Sequence, residues 1–141
     1  MVTILTLDSS VIIAALREQE EKHKECFGLI EKIKNAGYIT VESYTVLVEV
    51  VAAIKRRTGS EQLAERVKND LQGIGSIYFF DLESYRANEA SDIAKKSSMR
   101  GMDAIVVQIA KEFDAILVSL DDEMIEKAKG IVKVKSVDEL V

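Results

Sequence analysis

Four short apolar runs punctuate the chain, with helix-patterned stretches between them, and this alternation limits the available folds more than any other feature. The runs are Ile4-Leu5-Thr6-Leu7, Tyr38-Ile39-Thr40-Val41, Ile77-Tyr78-Phe79-Phe80 and Ala115-Ile116-Leu117-Val118. Each is too short for a helix and apolar on successive residues, which is the pattern of a strand covered on both faces. Val132-Lys133-Val134 reads as a fifth, shorter strand.

The intervening stretches carry helix signals. Val11 to Leu16 follows a capping segment, Asp8 to Ser10. Glu20 to Ala36 repeats apolar residues at Phe27, Ile30 and Ile33 and is stopped by Gly37. Ser43 or Thr45 caps a helix that runs to Arg57, before Gly59, and Glu61 to Leu71 forms the next. Leu82 to Ser98 is helical and broken by Gly101, and Asp103 starts a helix that runs to Phe113. Asp121 or Asp122 caps a helix to Lys129. The expected fold is therefore a single α/β domain over residues 1–141, with a mostly parallel five-stranded sheet and helices on both faces. In such sheets a ligand sits beyond the carboxyl ends of the strands, where the strand order reverses.

A length of 141 residues suits one domain. With 24 acids against 19 bases, the net charge of -5 argues against a protein that coats nucleic acid through a basic surface. It is compatible with an enzyme that gathers acids at its site. The single cysteine, Cys26, allows no intrachain disulfide and reads as a small buried apolar residue. Met1 leads straight into Val2-Thr3-Ile4-Leu5 without a basic leader, and no long apolar span occurs, so the expectation is a cytoplasmic protein with no membrane segment.

Four acids converge on one rim of this topology. Asp8 ends the first strand, and Asp121 follows the fourth. Asp103 opens the helix that feeds the fourth strand, and that helix runs antiparallel to the strand, so its amino end lies at the same rim. Glu49 is the only polar residue in Val46-Leu47-Val48-Glu49-Val50-Val51-Ala52-Ala53-Ile54, which predicts a helix buried all round. A buried carboxylate needs a partner or a metal ion. At ~5 Å and an effective dielectric of ~20, each carboxylate pair costs roughly 3 kcal/mol. Oxygen-only ligands favour hard cations, Mg²⁺ or Mn²⁺, and such a site suits phosphodiester hydrolysis. Each acid also has a plain structural role open to it. Asp8, Asp103 and Asp121 are possible helix caps, Asp122 is able to share the cap of Asp121, and Glu49 is able to pair with a distant arginine.

At these residues the chain resembles the PIN-domain ribonucleases, in particular VapC-type toxins of toxin–antitoxin pairs. The segments that carry the resemblance are Leu7-Asp8-Ser9-Ser10-Val11-Ile12-Ile13, Glu49 in its Val-rich helix, Gly101-Met102-Asp103-Ala104-Ile105-Val106-Val107 and Leu117-Val118-Ser119-Leu120-Asp121-Asp122-Glu123-Met124. Ser10 stands where the family more often has Asn. The resemblance implies a metal-dependent endoribonuclease acting on RNA, a homodimer and an antitoxin partner. Asp8, Glu49, Asp103 and Asp121 would form the acidic set, with Ser10 and Ser119 as supporting hydroxyls.

Other features carry less. His23, the only histidine, lies in a charged stretch and reads as solvated. Lys55-Arg56-Arg57 and Lys95-Lys96 with Arg100 read as helix ends, and Arg100, three residues before Asp103, is the candidate contact to an RNA backbone. Two other readings remain in play. One is a catalytically silent PIN-like module that binds RNA or protein. The other is a receiver-type signalling domain with Asp81 as phosphoacceptor and Lys135 as its partner.

Overall fold

The computed structural model describes residues 2–141, so Met1 and any reading of a leader that begins there lie outside the described residues. Strands β1 (Ile4–Leu7), β2 (Ile39–Ser43), β3 (Ile77–Phe80) and β4 (Ile116–Val118) form one parallel sheet in the order β3-β2-β1-β4. The chain winds outward from β1 to β3, then returns to place β4 on the other side of β1. The reversal point is therefore between β1 and β4.

The expected fifth strand is not formed as such. Leu117 and Val134 make a single parallel bridge, with Leu117 N–H donating to Lys133 O at 2.9 Å and Lys135 N–H to Leu117 O at 3.2 Å. With only one residue in register, the segment edges β4 without extending the sheet. The chain then turns into a short helix that the sequence reading did not anticipate, α8 (Val137–Leu140), closed by a capping box between Ser136 and Glu139.

Seven helices precede α8: α1 (Ser9–Leu16), α2 (His23–Lys34), α3 (Tyr44–Thr58), α4 (Glu61–Gly73), α5 (Ser84–Ser97), α6 (Gly101–Glu112) and α7 (Asp122–Ala128). In β1, Leu5, Thr6 and Leu7 are all buried, as are Thr40 to Ser43 in β2, so the central strands are covered on both faces. Helix α6 lies across β1, β2 and β4 and is backed by α5, while α1 packs on β1, α2 and α3.

Several local expectations are corrected. Glycine does not end α2 or α5. Ala36 (φ 60°) and Ser98 (φ 62°) take the left-handed turn instead, and Gly101 becomes the first residue of α6. Asp103 is thus in the first turn of α6 and not at its cap. Gly59 (φ 71°) does close α3, where its N–H donates to Lys55 O. In α2 the buried stripe is Cys26, Leu29, Ile30 and Ile33, and Phe27 faces solvent. His23 is not simply solvated, because its Nδ1 hydrogen-bonds Ala14 O at 2.8 Å and ties α2 to α1. Cys26 is fully buried, and burial pushes its thiol up to about 11, so it is protonated near neutral pH.

The pair α5 and α6 is held by one buried cation. Arg86 is 6% exposed and donates to Glu112 through Nε and Nη2, each at 2.9 Å, and to Asp81 O through Nη1. Its guanidinium also lies over the Phe80 and Tyr85 rings. The Arg86 hydrogen bonds hold the Glu112 carboxyl below its usual range. Removing one member of a buried pair strands the other charge, at about 3–5 kcal/mol when both are fully buried. Glu112 keeps some exposure, so Glu112→Ala is expected to cost about 2 kcal/mol in urea unfolding. Because the folded pKa is depressed, this stabilisation is present above the unfolded carboxylate pKa and fades as pH falls through the folded value.

Candidate functional site

Beyond the carboxyl ends of β1 and β4 lies a cleft of about 600 Å³. Asp8, Ser10, Glu49, Asp103, Asp121 and Arg100 line it, with Arg56 and Arg57 further along α3. Its position is where the strand order reverses, as expected for a ligand crevice in a parallel sheet.

Asp8 is set by the strand pair beneath it. Its N–H donates to Val118 O at 2.9 Å, continuing the β1–β4 ladder by one residue. Its backbone occupies the cap position of α1, yet its side chain makes no cap hydrogen bond. Instead Asp8 Oδ2 accepts from Ser10 Oγ at 2.7 Å and from Ser119 Oγ at 3.0 Å. The two hydroxyls reach onward: Ser10 Oγ accepts from Leu120 N–H and Ser119 Oγ from Asp121 N–H. The loop after β4 is thereby fastened to Asp8 by a relay of short polar side chains. Both of these bonds fall on Oδ2, which leaves Oδ1 for another partner.

Asp121 does cap its helix. Oδ1 accepts from Glu123 N–H and Met124 N–H, while Oδ2 faces Arg100. Arg100 bridges two acids, with Nη2 2.9 Å from Asp121 Oδ2 and Nε 3.3 Å from Asp103 Oδ2. The arginine that the sequence offered as an RNA contact is thus engaged with carboxylates in this structure.

Glu49 is half-buried, and its helix is not apolar all round in the fold. Val48 is 65% exposed, and Tyr44 also faces solvent. Burial raises the Glu49 carboxyl above its usual range, and the carboxylates of Asp8 and Asp103 raise it further, against a smaller lowering by Arg100. Asp103 is also raised by burial, an effect that the Arg100 guanidinium opposes and Asp8 reinforces. Glu49 has no arginine partner at salt-bridge distance among the described residues. Nor do any three Asp, Glu, His or Cys side chains, among the described residues, close on one point as a ready-made metal cage.

One acid of this region was not singled out from sequence. Glu42 in β2 is fully buried, its Oε2 accepting from Leu7 N–H at 2.8 Å and its Oε1 without a partner. Burial holds its carboxyl well above the usual range, with nearby Asp8 adding to the effect against the Leu7 N–H. The signal was available: a strand covered on both faces offers a glutamate no solvent side. Asp81, in contrast, follows the edge strand β3, two strands away from β1, and does not line the cleft. The receiver reading, which needs Asp81 beside Asp8, is not supported by this placement.

The fold and the cleft define an α/β protein with an acid-lined crevice at its topological switch point. A family model described as the PIN domain matches residues 5–130, and the chain belongs to the PIN domain family. No curated protein matches it by sequence. Among solved structures it is similar to VapC20 of Mycobacterium tuberculosis, a Sarcin-Ricin loop cleaving toxin. That likeness has a TM-score of 0.76 at 16% identity, over 94% of this chain and 99% of the other. It is also similar to PAE2754 of Pyrobaculum aerophilum, with a TM-score of 0.68 at 20% identity, over 99% of this chain and 86% of that one. A third likeness is to the DNA-bound VapBC complex of Salmonella typhimurium, with a TM-score of 0.66 at 16% identity, over 97% and 99% of the two chains. At these identities the likeness is one of fold.

The raised carboxyl of Glu49 has a measurable consequence. The folded state holds that proton more tightly than the unfolded chain, so ionising Glu49 costs stability as pH rises above the ordinary carboxylate range. In EDTA, Glu49→Gln is expected to melt a few degrees above the wild type near neutral pH. The gap should close below the carboxylate range, and melts across pH would read it.

Proposed function

We propose that the chain is a metal-dependent endoribonuclease, a VapC-type toxin acting as one PIN-like unit over residues 1–141. The observation that carries this reading is the meeting of Asp8, Glu49, Asp103 and Asp121 along one cleft at the switch point. These acids come from four different elements, and only Asp121 spends a side-chain oxygen on capping.

The donor set suits a hard cation. It is all oxygen, Asp8 keeps Oδ1 free of the two serine bonds, and a cation would offset both the burial that chiefly raises Glu49 and the smaller push from Asp8 and Asp103. Asp8, Glu49, Asp103 and Asp121 would hold Mg²⁺ or Mn²⁺. When bound, the ion would supply an activated water and charge stabilisation for phosphodiester hydrolysis.

The chain's own groups do the rest. Ser10 and Ser119 hold the Asp8 carboxylate by Oδ2 and leave Oδ1 for the ion. Arg100, Arg56 and Arg57 supply the positive charge that a phosphate backbone needs beside an acidic centre. Single-stranded or loop RNA is the substrate in this reading. A homodimer, an antitoxin and a cytoplasmic setting complete the reading. The solved Salmonella typhimurium relative is a VapBC complex on DNA, and it supports an antitoxin partner here. Among the described residues no helix is long and apolar enough to cross a membrane.

The test is cleavage of a labelled RNA pool with Mn²⁺, Mg²⁺ or EDTA. Asp8→Asn and Asp103→Asn are expected to abolish metal-dependent cleavage, while Ser119→Ala should cost about 10-fold, the scale of a lost supporting hydrogen bond. No cleavage and no Mn²⁺ binding by the wild type would favour the silent PIN-like module. Arg56→Gln and Arg57→Gln should each flatten the plot of log affinity against log salt by about 0.7, the value for one phosphate contact on a single strand.

A further inference from the structure

The sheet is asymmetric about β1 in a way that points to a role for Glu42. On one side the β1–β4 ladder runs to the end of the strand, Leu7 facing Val118. On the other, the β2–β3 ladder runs to Ser43 facing Phe80. Between them the β1–β2 ladder stops early, at Leu5 facing Thr40.

Continuing that register would carry Leu7 N–H to the Val41 carbonyl. Two side chains take those positions instead. Thr6 Oγ1 donates to Val41 O at 2.9 Å, and Glu42 Oε2 accepts from Leu7 N–H at 2.8 Å. Thr6 and Glu42 are both fully buried. The two strands thus part at the rim, and side chains fill the opening.

This arrangement is expensive for the fold alone. A buried carboxyl with one oxygen unpartnered is disfavoured, and an uninterrupted ladder would satisfy the same backbone groups without it. What the opening does is local. Successive amides of β1 point to opposite neighbours, so Leu7 N–H is pinned by Glu42 and Asp8 N–H by Val118 O. The peptide that carries Asp8 is clamped from both sides. Beyond the opening, β2 leads through Ser43, the cap of α3, to Glu49 on the wall of the same cleft.

We propose that Glu42 is a positioning residue for Asp8: its side chain replaces a β2 carbonyl, holds β1 and β2 apart at the rim and sets the aim of the Asp8 carboxylate into the cleft. This rests on the nuclease reading above and deepens it. Glu42 itself does not touch the cleft, since it is fully buried and absent from the cleft's lining. The property required at position 42 is an acceptor oxygen at that reach. A glutamine carries one, and a leucine does not.

The experiment compares wild type, Glu42→Gln, Glu42→Leu and Thr6→Val, each first checked for folding by thermal melt. Mn²⁺ affinity is read by calorimetry, cleavage by separate kcat and KM, and the Leu7 and Asp8 amides by hydrogen exchange. Glu42→Gln should stay within about 3-fold of wild type in Mn²⁺ affinity and kcat. Glu42→Leu should lose about 10–100-fold in both, the scale of outer-shell changes, with KM unmoved. Its Leu7 amide should lose protection while the glutamine variant keeps it. If Glu42→Leu fails to fold, Thr6→Val, which removes one hydroxyl without changing size, carries the test through a smaller loss in the same direction.

Wild-type affinity and kcat in a folded Glu42→Leu, or in Thr6→Val if that variant carries the test, would overturn the proposal alone. Equal damage in the glutamine and leucine variants would do the same, since the accepted hydrogen bond would then not be what matters. A wild type that binds no Mn²⁺ and cuts no RNA would remove the nuclease reading and the positioning role with it.

Discussion

The rim of this protein is organised by how β1 is shared between its neighbours. It is paired to its end with β4, and for only part of its length with β2. The first pairing brings Ser119 and Asp121 beside Asp8, because the strands leave the sheet together and their loops have nowhere else to meet. The second stops early, with the Thr6 and Glu42 side chains bonding where the ladder would continue, and β2 runs on into α3, whose Glu49 lines the same cleft. Neither effect needs an acid to attract an acid. The backbone ladder supplies the convergence, and the serine relay from Asp8 to the backbone of Leu120 and Asp121 locks it.

That convergence works against stability. Glu49 and Asp103 both prefer their protons more in the fold than outside it, with burial as the larger cause and neighbouring carboxylates adding to it. The fold meets part of this with Arg100, which spans Asp103 and Asp121. As an exposed pair, that bridge is worth little in water. Its interest is that a positive group rests where a phosphate or a cation would also be drawn. The Arg86–Glu112 pair, whose arginine is buried, is a different matter, since it joins α5 to α6 away from the rim and secures the helix that carries Asp103.

Much of the framework was legible because it depends on period and order. Four apolar runs became four strands, and the acids after the first and fourth came to one cleft because parallel topology puts strand ends together. What was not legible depended on pairing. Val132 to Val134 has the composition of a strand, but only Val134 comes into register with β4, so the fifth strand reduced to a bridge. Glycine is the usual left-handed residue, yet Ala36 and Ser98 took that conformation and moved two helix ends. Glu49 looked encased because its neighbours in sequence are apolar, but Val48 turned outward. Glu42 was passed over because its partner, the Leu7 amide, exists only once β1 and β2 lie side by side.

The relay between Asp8 and Ser119 spans 111 positions of chain. A polypeptide leaves the ribosome amino end first, at about 5–20 residues per second. Asp8 and Glu49 therefore emerge seconds before Ser119 and Asp121, and the β4 edge of β1 stays open until Ile116 to Val118 have been made. No shorter nascent piece can assemble the cleft. For a chain with the activity proposed here, synthesis itself delays the moment at which the growing protein could cut RNA.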